Sequence, residues 1–249
     1  MSHLVVTWAL SLGRRTDAYW NFAEYTDDWT KVVLHLDHVV LYGQLMTRLH
    51  GQVTTSDRTE HKMADELKGK RVAILAADGV ERVELEQPRQ ALLDAGATTE
   101  LLSLHEGEIK ALKNDLDEAG TFSVDALVKS VSVDDYDALL LPGGTVNPDQ
   151  LRLDADAVGF VRDFVATGKL VASICHGPWT LIEAGVAKGR TLTSYPSIRT
   201  DLRNAGANVV DEEVARDGNL ITSRWPDDLP AFCSAIIEQL SEAKGGDND

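Results

Sequence analysis

The chain has 249 residues and a formal net charge of −16, because 40 Asp and Glu outweigh 24 Lys and Arg. A protein this acidic repels nucleic acid and anionic membrane surfaces, so we expect neither as a partner. Its hydrophobic fraction of 43% is that of a globular protein, and no segment reaches the roughly 18 unbroken apolar residues that a membrane-spanning helix needs.

The first 62 residues differ in composition from the rest of the chain. Six basic and seven acidic residues give them a net charge of −1, and they hold five of the seven histidines. We expect residues 1–62 to be an N-terminal extension that is poorly ordered or outside the natural product, with initiation at Met63. A regulatory or membrane-surface appendage is the alternative. Residues 63–243 are expected to form the folded domain, and residues 244–249 a disordered tail.

From residue 71 onward, strand-like and helix-like segments alternate. Short apolar runs predict strands at 71–77, 98–104, 136–144 and 170–174. Apolar residues at helical spacing, closed by glycine in several cases, predict helices at 83–96, 156–168, through "PWTLIEAG" and at 228–240. The segments 191–195, 198–206 and 219–224 continue the alternation. The hydrophilic stretch 105–125 interrupts it, and we expect a hairpin or loop excursion there.

This alternation predicts an α/β fold of the flavodoxin-like, doubly wound type, with a mostly parallel sheet. Several strands are apolar on both sides, so helices are expected on both faces. Function gathers at the carboxyl ends of the strands in such a sheet. Three loops follow predicted strands: "DGVERVEL", "PGGTVNPDQ" and "CHGPW". If their strands are parallel, the three loops meet at one edge.

Cys175 ends a predicted strand and is followed at once by His176 and Gly177. A nucleophile at a tight strand-to-helix turn is exposed and rigid, and the helix directs positive amide groups towards it. We therefore expect a lowered thiol pKa and a reactive thiolate, with burial as a small apolar residue as the alternative. Cys233, within "AFCSAII", is expected in the core. Two cysteines are too few for a disulfide framework and predict free thiols in a reducing cytoplasm.

The blocks "GVERVEL", "LLLPGG" and "SICHGP", with "GRTLTSYPSIRTDLRNAGA" and "DGNLITSRWPDDLPAF" downstream, resemble the PfpI intracellular-protease and protein-deglycase family. That family belongs to the class I glutamine-amidotransferase-like superfamily. The resemblance covers roughly residues 70–240. It implies that Cys175 is the nucleophile, that His176 is its neighbouring histidine, and that the Glu84 carboxyl lies against the thiol. The backbone amides of Gly144 and His176 match the oxyanion-stabilising pair.

Acidic residues complete the site that the resemblance implies. A carboxyl beside a thiolate in a partly buried pocket has a raised pKa, so Glu84 can donate a hydrogen bond to the sulfur or carry a proton to substrate. Glu81 is the competing glutamate, although a solvated carboxylate at a helix start explains it equally well. The resemblance also implies a homo-oligomer, a dimer or hexamer, in which Asp149 reaches His176 of a neighbouring subunit.

Other chemistries find little support in the sequence. A true glutamine amidotransferase takes a late histidine followed closely by a glutamate, and no histidine follows His176 here. "PGG" lacks the lysine and hydroxyl of a phosphate-binding loop. One adjacent Cys–His pair is a poor zinc site. We therefore expect neither cofactor nor metal. Trp179 either lines the pocket and favours small substrates or packs its helix.

Three functions remain open. The first is a cysteine enzyme that acts on small reactive carbonyls by glyoxalase- or deglycase-like chemistry and protects against stress. The second is an ATP-independent intracellular peptidase that forms a thioester at Cys175. The third is a redox-sensing or holdase-like stress protein in which this thiol is oxidised. The expected partners are accordingly a small carbonyl substrate or a peptide, and we favour the carbonyl enzyme.

Overall fold

The computed structural model describes residues 66–242. The expected N-terminal extension, residues 1–62, and the expected tail, residues 244–249, lie outside the described residues. The strands are β1 (Arg71–Leu75), β2 (Val80–Glu81), β3 (Thr98–Ser103), β4 (Glu108–Lys113), β5 (Asp117–Ser123), β6 (Ala126–Leu127), β7 (Ala138–Leu141), β8 (Leu170–Ile174), β9 (Thr191–Leu192), β10 (Asn208–Val209), β11 (Val214–Asp217) and β12 (Leu220–Ser223). The helices are α1 (Arg82–Asp94), α2 (Val146–Leu151), α3 (Ala155–Ala166), α4 (Pro178–Glu183), α5 (Arg199–Asn204) and α6 (Leu229–Glu242).

Seven strands form the central sheet in the order β11-β12-β8-β7-β1-β3-β6. All neighbours are parallel except the edge strand β11, which pairs antiparallel with β12. The predicted α/β fold with a mostly parallel sheet is therefore confirmed. The sequence did not predict β11, because "VARD" is short and polar and carries no apolar run.

Helices cover both faces of the sheet, as the apolar runs predict. Alternate side chains of a strand point to opposite faces. In β1, Val72 and Ile74 contribute to the core beneath α1 and α6, whereas Ala73 and Leu75 contribute to the core beneath α3, α4 and α5. The largest fully buried side chain of each core comes from a helix: Phe232 from α6 in the first and Phe164 from α3 in the second. None of the helices in residues 66–242 is long and apolar enough to cross a membrane.

The excursion at 105–125 is a β-hairpin. Strands β4 and β5 pair antiparallel, and β4 also pairs parallel with the two-residue strand β2. Asn114 and Asp115 make the turn with φ values of 55° and 61°. Asn and Asp tolerate this left-handed region better than other residues with a side chain, so the turn chemistry fits the hairpin. The hairpin lies beside β2, and its turn contacts the loop after β7 through Thr145.

The predicted strand at 191–195 is shorter than expected, because only Thr191–Leu192 pairs, as β9. After Leu192, the Thr193 amide donates to the side-chain oxygen of Thr222 (2.9 Å). The Tyr195 amide donates to the Cys175 carbonyl (2.9 Å). The chain thus leaves its strand to contact the loop after β8.

Candidate active site

Three loops meet at the carboxyl edge of the sheet, as the parallel strands require. They follow β1, β7 and β8, which are neighbours in the sheet. The first loop leads through β2 to Glu84 in the first turn of α1, and the second contains Gly143 and Gly144. The third presents Cys175 and His176. The expected convergence of distant segments at one edge is therefore found.

Cys175 has a φ of 61°, in the left-handed region that a residue with a side chain rarely adopts. Such a conformation costs about 1–3 kcal/mol and persists only where neighbours hold it. Its amide donates to the Ser223 carbonyl (3.1 Å), and its carbonyl accepts from the Tyr195 amide (2.9 Å). A side chain on Gly177 would lie 2.5 Å from Ser173 Oγ. The tight turn predicted after β8 is therefore present and fixed on both sides.

Glu84 is fully buried (0% exposed) and faces the second loop. The Gly143 amide donates to its Oε2 at 2.9 Å. A Cβ on Gly143 would lie 2.5 Å from Glu84 Oε2 and 2.6 Å from Cys175 Cβ, so only glycine fits between them. Burial raises the pKa of Glu84 to about 8, against the lowering effect of its hydrogen bonds with Cys175 and Gly143. Glu84 is therefore mostly protonated at neutral pH.

The Cys175 thiol differs from the sequence-based expectation. Burial and the neighbouring Glu84 carboxyl raise its pKa, whereas the amides of Gly144 and His176 act in the opposite direction. The prediction of a lowered thiol pKa is thus wrong for the resting site. Two physical reasons account for it: Cys175 is only 6% exposed, and the Glu84 carboxyl is its neighbour. When Glu84 carries its proton, its charge no longer opposes the thiolate.

His176 lies beside the sulfur, with 3.2 Å between its Nδ1 and Cys175 Sγ. Its Nε2 is 3.0 Å from Ser197 Oγ. Tyr195 stacks on the imidazole with ring centroids 4.7 Å apart, and the Trp179 ring lies at 5.3 Å. Burial lowers the pKa of His176, and the negative charge of Asp115 partly opposes this effect. The histidine is therefore neutral at physiological pH and able to accept a proton.

Asp149 does not reach His176 within the chain. It is exposed in the first turn of α2, and Ser197 takes the position beside His176 Nε2. The contribution of Asp149 across a subunit interface therefore stays a prediction.

Glu81 is not the solvated carboxylate that its position at a helix start suggested. It is 7% exposed, and burial raises its pKa. The Asp115 amide donates to its Oε2 at 3.3 Å. Glu81 does stand at the start of α1, but its carboxylate holds the hairpin turn instead of facing water.

Three further residues shape the site without any signal in the sequence. Asn147 is fully buried, donates to the carbonyls of Pro142 (2.9 Å) and Gly143 (3.0 Å), and accepts from the Ala77 amide (2.7 Å). Ser197 contacts the histidine, and Asp115 contacts the second loop. Their roles depend on contacts between segments far apart in the chain, which single-residue patterns do not reveal.

Two remaining expectations concern Cys233 and metals. Cys233 is half-buried on α6, so its placement in the core is only partly right, and burial raises its pKa to about 11. Within residues 66–242, no group of three or more His, Cys, Asp or Glu side chains is arranged to hold a metal ion.

Residues 70–239 match the DJ-1/PfpI family. Over 170 residues the chain is 43% identical to a protein of Pyrococcus abyssi named a deglycase, across 68% of this chain and 99% of that protein. Over 163 residues it is 41% identical to YraA of Bacillus subtilis, named a candidate cysteine protease, across 66% of this chain and 94% of that protein. The crystal structure of Drosophila melanogaster DJ-1beta matches with a TM-score of 0.63 and 32% identity, across 69% of this chain and 90% of that chain. The family match contains every residue of the site described above.

Proposed function

The chain belongs to the DJ-1/PfpI family, and we propose that it is a cofactor-independent cysteine enzyme acting on small reactive carbonyls such as methylglyoxal. The observation that carries this proposal is the protonated, fully buried Glu84 against the Cys175 thiol. A buried acid beside a nucleophilic sulfur supplies the proton that a carbonyl oxygen needs as the carbon–sulfur bond forms.

Activation of the thiol begins with the loss of one proton from the Glu84–Cys175 pair. The two groups are coupled, so the first proton leaves with an apparent pKa that belongs to the pair, and burial raises this pKa above the usual range of a carboxyl. When the remaining proton lies on the carboxyl, the sulfur is a thiolate that the amides of Gly144 and His176 stabilise. The fraction of the protein with a reactive thiolate therefore rises with pH.

The reaction with methylglyoxal needs only Cys175, Glu84, His176 and one water. The sulfur attacks the aldehyde carbon, a C–S bond forms, and Glu84 protonates the oxygen to give a hemithioacetal. His176 removes the proton from that carbon and returns it to the neighbouring carbon, while the hydroxyl proton moves from the first oxygen to the neighbouring oxygen, which leaves a lactoyl thioester on the sulfur. Water hydrolyses the thioester and releases lactate, so methylglyoxal and one water give one lactate. The backbone amides at the sulfur would also stabilise negative charge on the carbonyl oxygen.

The histidine is suited to its role by its two contacts. In the tautomer in which Nε2–H donates to Ser197 Oγ, the lone pair of Nδ1 faces Cys175 Sγ, 3.2 Å away. Its lowered pKa keeps it neutral, so it can take a proton and return it.

A small substrate fits the burial of the site better than a polypeptide does. Cys175 and His176 are 6% and 5% exposed, and the rings of Tyr195 and Trp179 flank the histidine. Peptidase activity is the second candidate, because YraA is a relative and a thiolate with an oxyanion site serves thioester formation from an amide equally well.

One assay separates the two candidates. The purified protein is incubated with methylglyoxal, with a freshly glycated peptide and with a casein-type substrate, each beside a blank without protein. We expect lactate from methylglyoxal or release of the early adduct from the peptide, without cleavage of casein. Cleavage of casein without carbonyl turnover would replace this proposal with the peptidase.

A further inference from the structure

The hairpin of β4 and β5 contacts the second loop of the site through one side chain. Asp115, at the hairpin turn, accepts from the Thr145 amide at 2.6 Å with Oδ1 and from the Thr145 hydroxyl at 2.8 Å with Oδ2. Thr145 directly follows Gly144, whose amide lowers the pKa of the Cys175 thiol. Both carboxylate oxygens of Asp115 thus accept hydrogen bonds from Thr145, the residue after the proposed oxyanion donor Gly144.

The other side of Asp115 is held as well. Glu81 Oε2 accepts from the Asp115 amide (3.3 Å), and the Asn114 amide also interacts with this carboxyl. The Glu81 amide in turn donates to the Gly143 carbonyl at 3.3 Å. The hairpin turn therefore lies between β2 and the second loop, and it is fixed to both.

Gly144 needs such support because its own conformation is permissive. It has a φ of 80°, and a Cβ there would lie 2.4 Å from the Gly79 carbonyl oxygen and 2.7 Å from the Glu81 amide nitrogen. Only glycine fits this space, and glycine has more backbone freedom than any other residue. The Gly144 N–H belongs to the Gly143–Gly144 peptide, whose carbonyl accepts from Asn147 Nδ2 (3.0 Å) and from the Glu81 amide (3.3 Å). Asp115 holds the other side of Gly144, because the Thr145 N–H belongs to the peptide that follows this glycine.

We propose that Asp115 is a positioning residue that, together with the contacts of the Gly143 carbonyl, keeps the Gly144 amide directed at the Cys175 sulfur and at the substrate oxygen. The part of this proposal that concerns the substrate oxygen rests on the proposed function. The part that concerns the Cys175 sulfur does not. It assigns to the β4–β5 hairpin a part in the reaction, although this hairpin lies outside the three loops that carry Glu84, Gly144 and Cys175.

The charge of Asp115 has to be separated from its hydrogen bonds. Its negative charge raises the pKa of both His176 and Glu84, and the other charged groups facing this region are Glu81 and Lys113. Asp115→Asn removes the charge but keeps an acceptor for the Thr145 amide and a polar group for its hydroxyl. Asp115→Gly removes the charge and both hydrogen bonds. Both replacements tolerate the φ of 61°, so neither strains the turn.

The experiment measures how fast iodoacetamide alkylates Cys175, followed by intact mass and peptide mapping across a pH series. Cys233 provides an internal reference in every sample, and Asp117→Asn, an exposed charge on the same hairpin, is the matched control. We expect Asp115→Gly to slow Cys175 alkylation about tenfold or more and to move the alkylation profile to higher pH, since a misdirected amide stabilises the thiolate less. Asp115→Asn should stay within about threefold of the wild type, and Asp117→Asn should match it.

Turnover of methylglyoxal supplies the second readout. Asp115→Gly should lower kcat by about tenfold or more with KM nearly unchanged, which is less than the roughly 10²- to 10³-fold loss from deleting an oxyanion donor outright. Unchanged alkylation in a folded Asp115→Gly protein would overturn the proposal, as would an equal loss in Asp115→Asn. Should the wild type fail to turn over methylglyoxal, only the proposed function falls, because alkylation still reports on the Gly144 amide.

Discussion

Replacement of Glu84 by glutamine tests the buried acid through the stability of the fold. Burial raises the pKa of Glu84 from 4.5 to about 8, so the folded protein holds a proton that the unfolded chain releases. Between these two values the native state binds more protons than the unfolded state, and stability therefore falls as pH rises through this window. A glutamine side chain does not titrate, so the Glu84→Gln variant should lack this loss.

The magnitude follows from the two pKa values. Each pH unit across the window changes the free energy of unfolding by about 1.4 kcal/mol, so the wild type should lose roughly 5 kcal/mol relative to Glu84→Gln between pH 4.5 and about 8. Urea denaturation of both proteins, repeated from about pH 5 to about pH 8, gives the difference at each pH. The lowered pKa of His176 affects both proteins alike and cancels in that difference.

A second comparison, with Cys175→Ala in both proteins, excludes a contribution of the thiol to the pH dependence. Cys175→Ala removes the hydrogen bond that lowers the pKa of Glu84 but leaves the desolvation that raises it. The pH dependence of the difference should therefore persist when both proteins carry Cys175→Ala. A difference that stays constant across the pH range would refute the assignment of Glu84 as a buried acid with a raised pKa.

Three further predictions concern the surroundings of the site. Ser197→Ala should lower kcat for methylglyoxal several-fold with little change in KM or thermal midpoint. The replacement removes the contact with His176 Nε2, worth about 1 kcal/mol, that orients the imidazole. A change in KM alone would contradict this role. Light scattering should show an oligomer, and Asp149→Asn should lower kcat at an unchanged oligomeric state; a monomer with full activity would exclude a contribution of Asp149 from a neighbouring subunit. A chain that starts at Met63 should keep its thermal midpoint and its rate of Cys175 alkylation, since the family match begins at residue 70; loss of folding in that chain would show that residues 1–62 are needed.

Periodicity and strand-end position were sufficient to predict the fold and the meeting of the three loops. The run 170–174 coincides with β8, and helix 228–240 differs from α6 by one residue at its start and two at its end. Such agreement is expected where buried strands are continuously apolar and helices carry a clear apolar stripe. The edge strand β11 was not predicted because it lacks a continuous apolar run.

The electrostatics of the site could not be predicted from the sequence. The turn after β8 suggested a lowered thiol pKa, but the outcome depends on desolvation and on the distance to Glu84, neither of which the sequence specifies. The same holds for Glu81, whose burial arises from the hairpin turn at Asp115. Ser197 was missed because only the return of the chain after β9 brings it to His176.

The role of Cys175 as the nucleophile is tested by lactate formation from methylglyoxal, measured for the wild type, Cys175→Ala and Cys233→Ala at about pH 8 in the presence of a chelator. The two variants remove one thiol each, and Cys233 lies on α6, outside the three loops of the site. We expect Cys233→Ala to match the wild type, whereas folded Cys175→Ala should produce no lactate above the blank. Undiminished lactate formation by Cys175→Ala would contradict a mechanism in which this sulfur attacks the carbonyl carbon.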